Sequence, residues 1–306
     1  MASSFDQSPQ RALWWTPVEI PARTNGLSGS GPIPLVVALH TWSYDYRQTD
    51  SIAYWQECRK RGWAMIHPDF RGRNTRPEAC ASQAATADVV DAVRFAHKRA
   101  PIDVRRIYLI GNSGGGHMAL VLAHRHPGLW AGVSAWVPIS DLALWHRESV
   151  ERGQRYALEL EAVCGGPPGT SAAVDAEYRQ RSPLPYLEAA RGLAIDLNAG
   201  IHDGHTGSVP VGHTLRAFNR LAEANGFASQ RLNEADIRSI EATQLIPARL
   251  QPATADSSYA KRVLLRRVAG PVRVTLFEGG HEILPGAAFA WLAQQVRKSS
   301  DLPERR

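Results

Sequence analysis

Three residues stand in an order that suits nucleophilic acyl transfer: Ser113, then Asp203, then His281. A serine hydroxyl is a weak nucleophile until a base within hydrogen-bond reach takes its proton, and that base must be oriented by a third group. Ser113 lies in Gly111-Asn112-Ser113-Gly114-Gly115, a G-x-S-x-G pattern. Ahead of it runs the β-branched and aromatic Arg106-Ile107-Tyr108-Leu109-Ile110. Behind it runs the helix-like His117-Met118-Ala119-Leu120-Val121-Leu122-Ala123-His124. This context predicts a sharp, strained turn between strand and helix that holds the hydroxyl out into a cleft. Glycines flank such a turn because a Cβ on either side would collide with neighbouring backbone.

The partners follow from where loops leave late strands. His281, in Glu278-Gly279-Gly280-His281-Glu282, comes directly after the apolar run 272–277 and is the expected base. Asp203, in Gly200-Ile201-His202-Asp203-Gly204-His205, follows the run 193–197 and is the expected acid. Asp141, after the run 133–137, is the alternative acid. Either aspartate could instead cap backbone in an Asx turn. Two donors must face the tetrahedral oxygen. The Gly114 amide supplies one. The Trp42 amide, in His40-Thr41-Trp42-Ser43 after the run 35–39, is the candidate for the other.

Candidate substrate contacts are His40, Trp42, Asn112 and Arg71. Arg71 can hold a substrate carboxylate or fix its own loop through carbonyls. Trp42 can wall the acyl pocket or pack in the core. With Trp136 and Trp145 it also offers stacking surfaces for a sugar or aromatic group. His202, His205 and His213 match no helix-borne ligand spacing, so neither a metal nor a cofactor is expected.

Strand and helix patterns alternate along the chain. Apolar runs at 35–39, 63–66, 106–110, 133–137, 193–197 and 272–277 read as strands. Residues 51–61, a segment carrying Val89, Val90, Val93 and Ala96, a segment carrying Leu215, Phe218, Leu221 and Ala222, and a terminal segment opened by Pro285 that carries Phe289, Trp291, Leu292 and Val296 read as helices. Residues 262–268 and 272–277 flank Ala269-Gly270-Pro271 and read as a hairpin. Near-continuous apolar strands alternating with helices predict a mostly parallel sheet covered on both faces. Together with the Ser113 turn this gives an α/β fold of the α/β-hydrolase kind, a single domain over 1–306. Residues 142–192 are expected to form a helical cap insertion and 230–259 an irregular one.

Composition limits the alternatives. The 306 residues are 44% hydrophobic and 21% charged, as in ordinary globular domains. The net charge of +6 is spread rather than gathered in a basic stripe, so no nucleic-acid partner is expected. No apolar run reaches membrane-span length, so no membrane partner is expected either. The N-terminus lacks a basic segment followed by an apolar one, which predicts a cytoplasmic protein. Cys58, Cys80 and Cys164 form no C-x-x-C. Reduced thiols are the default, with a Cys80–Cys164 bridge left open.

Taken together, these residues resemble the catalytic domain of the prolyl oligopeptidase (S9-type) serine hydrolases, over roughly 34–297. Phe70-Arg71-Gly72 is similar to that family's arginine-glycine turn, and Val104-Arg105-Arg106-Ile107 to its approach to the nucleophile. Arg181-Ser182-Pro183-Leu184 resembles its phrase after the helical insertion. Asp203 before Val209-Pro210, and His281 after Gly279-Gly280, match its acid and base. About thirty residues precede the first strong strand, too few for the family's usual β-propeller. His40-Thr41-Trp42 is nearer to the His-Gly-Tyr form of the related acetyl xylan esterases. The resemblance therefore implies a serine hydrolase acting on an ester with a small acyl group, with a carbohydrate as one form of substrate. A peptidase or aminopeptidase acting on short peptides is the alternative. An inactive hydrolase fold kept as a binding protein is the alternative from another class.

Overall fold

The computed structural model describes residues 31–250 and 255–297. The N-terminal stretch read for a leader lies outside them. Seven strands form one sheet: β1 (Ile33–Leu39), β2 (Ala64–Ile66), β3 (Ile102–Asn112), β4 (Gly132–Trp136), β5 (Ile195–Gly200), β6 (Val263–Ala269) and β7 (Val272–Phe277). Their spatial order is β2-β1-β3-β4-β5-β7-β6. Every neighbouring pair is parallel except β6 with β7, which form the antiparallel edge hairpin.

The helices cover both faces, as a parallel sheet with apolar strands requires. Along β1 the side chains alternate. Leu35, Val37 and Leu39 join a core shared with α2 (Gln83–Arg99), α3 (Gly114–Arg125) and α7 (Val211–Ala224). Val36 and Ala38 join the opposite core, shared with α1 (Ser51–Arg61) and α9 (Pro285–Leu292). The fold is the α/β-hydrolase fold. Among the described residues no helix is long and apolar enough to cross a membrane.

Between β4 and β5 stand α4 (Leu142–Glu151), α5 (Tyr156–Cys164) and α6 (Ala172–Arg181). They enclose a smaller apolar cluster with Trp42, Leu142, Trp145, Leu160 and Val163. Two expectations need correction. The stretch read as irregular contains α8 (Glu234–Thr243), started by the Asn233 side chain accepting from the Asp236 amide and buried through Ile237 and Ile240. The terminal helix ends at Leu292, so Val296 lies beyond it and is exposed. Cys58, Cys80 and Cys164 are buried free thiols. Burial pushes the Cys164 thiol up to about 12.

Candidate active site

The three parallel strands that lead to the expected triad finish at the same end of the sheet. Asn112, the last residue of β3, pairs with Trp136, and the Ser113 amide donates to the Trp136 carbonyl at 2.9 Å. β5 and β7 end side by side, with Gly200 opposite Phe277. Their pairing runs on into the loops: the Ile201 amide donates to the Phe277 carbonyl and the His202 amide to the Gly279 carbonyl, each at 2.9 Å. The loop bearing Asp203 is thus zipped to the loop bearing His281.

Ser113 has φ 57° and ψ −122°, a strained conformation for a residue with a Cβ. The flanking glycines permit it. A Cβ on Gly111 would press on the Gly115 backbone at 2.5 Å, and one on Gly115 on the Leu39 carbonyl at 2.5 Å.

Asp203 is buried, and its two oxygens have separate tasks. Oδ1 accepts from the Gly204 amide at 2.9 Å and the Val209 amide at 3.1 Å. Oδ2 lies 2.8 Å from His281 Nδ1. A carboxylate only accepts, so Nδ1–H donates, and Nε2 is the ring nitrogen left for proton transfer. Gly207 lies over this pair: a Cβ there would overlap Asp203 Oδ1 and stand 2.5 Å from His281 Cβ. Asp141 is occupied elsewhere. Its side chain caps α4, accepting from the Ala143 and Leu144 amides at 3.0 Å each.

The two candidate oxyanion residues are adjacent. A Cβ on Gly114 would overlap Trp42 N and stand 2.6 Å from Trp42 Cα. Gly114 opens α3, where amides have no carbonyl of their own helix to bond. The Trp42 loop is tied down on several sides. The Thr41 amide donates to Gln48 Oε1 at 2.9 Å, and the Trp42 carbonyl accepts from the Asn74 amide at 3.0 Å.

Several candidate substrate contacts have structural tasks instead. His40 is fully buried and stacks on Phe70, ring centroids 3.6 Å apart. Its ring nitrogens lie 2.9 Å from the Thr41 carbonyl and 2.6 Å from the Asp69 carbonyl. Burial pushes its pKa down, and both ring nitrogens face backbone carbonyls of the loop rather than the cleft. Arg71 grips Asp88 with two bonds of 2.6 and 3.1 Å through Nε and one terminal nitrogen, which hold the loop to α2. Asn112 is buried, its Oδ1 3.3 Å from the Tyr54 hydroxyl.

The three indoles are also core groups. Trp136 packs on Tyr259 and Phe277, and its N–H donates to Ser134 Oγ at 2.8 Å. Trp42 meets Trp145 edge-on, centroids 4.8 Å apart, and both are buried. None presents a face for stacking on a sugar.

The histidines of the acid loop have dispersed. His202 bridges Gln244 Oε1 at 2.7 Å and Glu278 Oε1 at 2.6 Å. The hydrogen bond to Glu278 raises its pKa, with a further contribution from Gln244. His205 Nε2 donates to the Glu241 carbonyl at 2.6 Å. His213 is buried between the Ser140 amide and Glu148. Among the described residues no group of three or more His, Cys, Asp or Glu is gathered as for a metal ion.

Two residues escaped sequence reasoning. Gly207 carried a signal, a second glycine soon after the acid. Glu159 carried none: its carboxylate accepts the Trp42 indole N–H at 2.7 Å from 117 positions away.

The model of the prolyl oligopeptidase family matches residues 48–235, more than half of the chain. Comparison with curated proteins returns no match. Among solved structures, the acylaminoacyl peptidase of Pyrococcus horikoshii aligns with TM-score 0.56 and 12% identity, over 88% of this chain and 38% of that one. A puromycin-hydrolysing peptidase of Mycobacterium tuberculosis aligns with TM-score 0.56 and 17% identity, over 86% of this chain and 35% of that one. FphF, a fluorophosphonate-binding serine hydrolase of Staphylococcus aureus, aligns with TM-score 0.51 and 12% identity, over 89% of this chain and 88% of that one. The chain thus spans under two fifths of the length of the two peptidases and most of the length of FphF. At these identities the structures share the fold. With the family model matched across strand, elbow, insertion and acid loop, the chain belongs to the prolyl oligopeptidase family.

Proposed function

We propose that this protein is a serine hydrolase that cleaves carboxylic esters with a small acyl group. The observation that carries the reading is the Asp203–His281 bond of 2.8 Å, formed by loops leaving the same end of the sheet at which Ser113 sits on its strained turn. In the proposed reaction His281 Nε2 takes the Ser113 hydroxyl proton while Oγ attacks the ester carbonyl. The Gly114 and Trp42 amides stabilise the oxyanion. His281 then gives the proton to the departing alkoxide, leaving an acyl-serine and an alcohol. Water repeats the cycle, with His281 again as base, and releases the acid. Asp203 holds the ring tautomer and stabilises the imidazolium.

The ester reading is supported by the His40-Thr41-Trp42 segment, which is nearer to the His-Gly-Tyr form of the acetyl xylan esterases. The second reading, a peptidase, is favoured by the family match and by the two peptidase structures that share the fold. Turnover of p-nitrophenyl acetate and butyrate set against aminoacyl and prolyl p-nitroanilides separates them. The ester reading expects the higher kcat/KM on the acetate; faster anilide turnover sinks it. A folded wild type that turns over neither, and takes no fluorophosphonate label, points to the binding-protein alternative.

A further inference from the structure

Trp42 is fastened on its side-chain end as well as along its backbone. Its indole, 2% exposed with its residue, donates to Glu159 Oε2 at 2.7 Å. Glu159 stands on α5 beside the buried Leu160, its side chain 19% exposed. The Glu159 carboxylate keeps part of its surface in water, whereas a buried indole N–H must find an acceptor, and this carboxylate supplies it. Arg155, the N-cap residue of α5, completes the clamp. Its Nε lies 3.2 Å from Glu159 Oε1, and its terminal nitrogen donates to Ser43 Oγ at 2.9 Å. Two consecutive residues of the oxyanion loop are therefore held from the first turn of α5 and its cap.

The insertion also reaches the acid loop. Trp145 of α4 packs edge-on against Trp42 and donates its own indole N–H to the Ser208 carbonyl at 2.8 Å. The next residue, Val209, supplies an amide to Asp203.

From this we infer that Glu159 is a positioning residue: through the Trp42 indole it fixes where the Trp42 amide points relative to Gly114. The inference rests on the proposed reading of that amide as an oxyanion donor. Trp42 N, Cα and Cβ all lie against Gly114, so a shift of the whole residue that follows release of its indole carries the amide with it. The oxyanion interaction strengthens only in the transition state, so its loss lowers kcat and leaves KM nearly alone.

The test is steady-state hydrolysis of p-nitrophenyl acetate by wild type, Ser113→Ala, Glu159→Ala, Glu159→Gln, Trp42→Phe and the Trp42→Phe/Glu159→Ala double variant. Glu159→Ala is expected to lower kcat by about tenfold to a hundredfold with KM within about threefold. Glu159→Gln restores most of the rate, because its amide oxygen accepts the same N–H. Trp42→Phe, which keeps the backbone amide and removes the indole donor, falls like Glu159→Ala, and the double variant falls no further than either. Wild-type kcat in Glu159→Ala, or losses that multiply in the double variant, overturns the positioning role while Ser113-dependent turnover leaves the function reading standing. Turnover that survives in Ser113→Ala, or is absent from wild type, overturns both. Should Glu159→Ala fail to fold, Trp42→Phe carries the test, and wild-type kcat there overturns the inference.

Discussion

Asp203 Oδ2 lies 2.8 Å from His281 Nδ1 across 78 positions of sequence. The other carboxylate oxygen is held by the Gly204 and Val209 amides, which fixes the direction in which Oδ2 points. Neighbouring parallel strands bring the two loops together, and continued backbone pairing through Ile201 and His202 keeps them in register. The result is an imidazole with a set tautomer on the end of the sheet where β3 also finishes.

Ser113→Ala and His281→Ala are each expected to lower kcat by at least about 10³-fold, with the double variant no worse, because the residues act as one unit. Thermal melts should stay near wild type. Ser113→Gly relieves the positive φ that Ser113→Ala retains, so it should be the more stable of the two by about 1 kcal/mol. Equal losses that add in the double variant would contradict the unit.

The two aspartates separate by readout. Asp203→Asn is expected to cost about 10² to 10⁴ in kcat through loss of tautomer control, with the fold kept. Asp141→Ala removes an N-cap bonded to two amides and should cost about 1 kcal/mol of stability with kcat unchanged. Kinetics and urea melts of both variants check this; a reversed pattern would move the acid to Asp141.

Gly207→Ala tests the space above the dyad. The new methyl would overlap Asp203 Oδ1 and crowd His281 Cβ, pushing the two side chains apart. The expected outcome is a kcat loss of about tenfold or more with a small change in melting temperature, since a misplacement of about 1 Å is costly in rate. Unchanged kcat would mean the loop yields freely.

Stability should fall in mild acid through His117. The ring is fully buried in α3, 2.8 Å from the Arg181 carbonyl, and burial pushes its pKa from 6.5 down to about 4. Between those values the unfolded chain binds a proton that the folded chain excludes. The contribution is full above pH 6.5 and is lost as pH falls to about 4, on the order of 3 kcal/mol in all. His117→Gln, which keeps a donor for the carbonyl, should show a shallower fall of urea midpoints between pH 7 and 4. Parallel profiles would assign the acid loss to other groups, such as His124, also pushed down to about 4 by burial.

Much of this arrangement was legible in the sequence. A continuous apolar run such as 35–39 has few places to go except a covered parallel sheet, and Gly111 to Gly115 demands a tight turn. α8 is hard to read from sequence because its buried face carries two apolar residues, Ile237 and Ile240, beside Asp236, and its start depends on a single Asn233 cap. The tryptophans misled for a different reason. Composition shows that an indole wants an apolar body and one polar partner, and Ser208, Glu159 and Ser134 supply those partners inside the protein. Arg71 and His40 were similarly ambiguous until Asp88 and the Thr41 and Asp69 carbonyls claimed them. Long-range pairings of this kind leave no local pattern.

The central claim is that Ser113 is the nucleophile, and covalent labelling tests it most directly. The protein is treated with a fluorophosphonate and analysed by intact mass and peptide mapping. The account predicts one adduct per chain, on Ser113, absent from Ser113→Ala and slowed in His281→Ala. A folded wild type that takes no adduct, or an adduct that persists in Ser113→Ala, would contradict it.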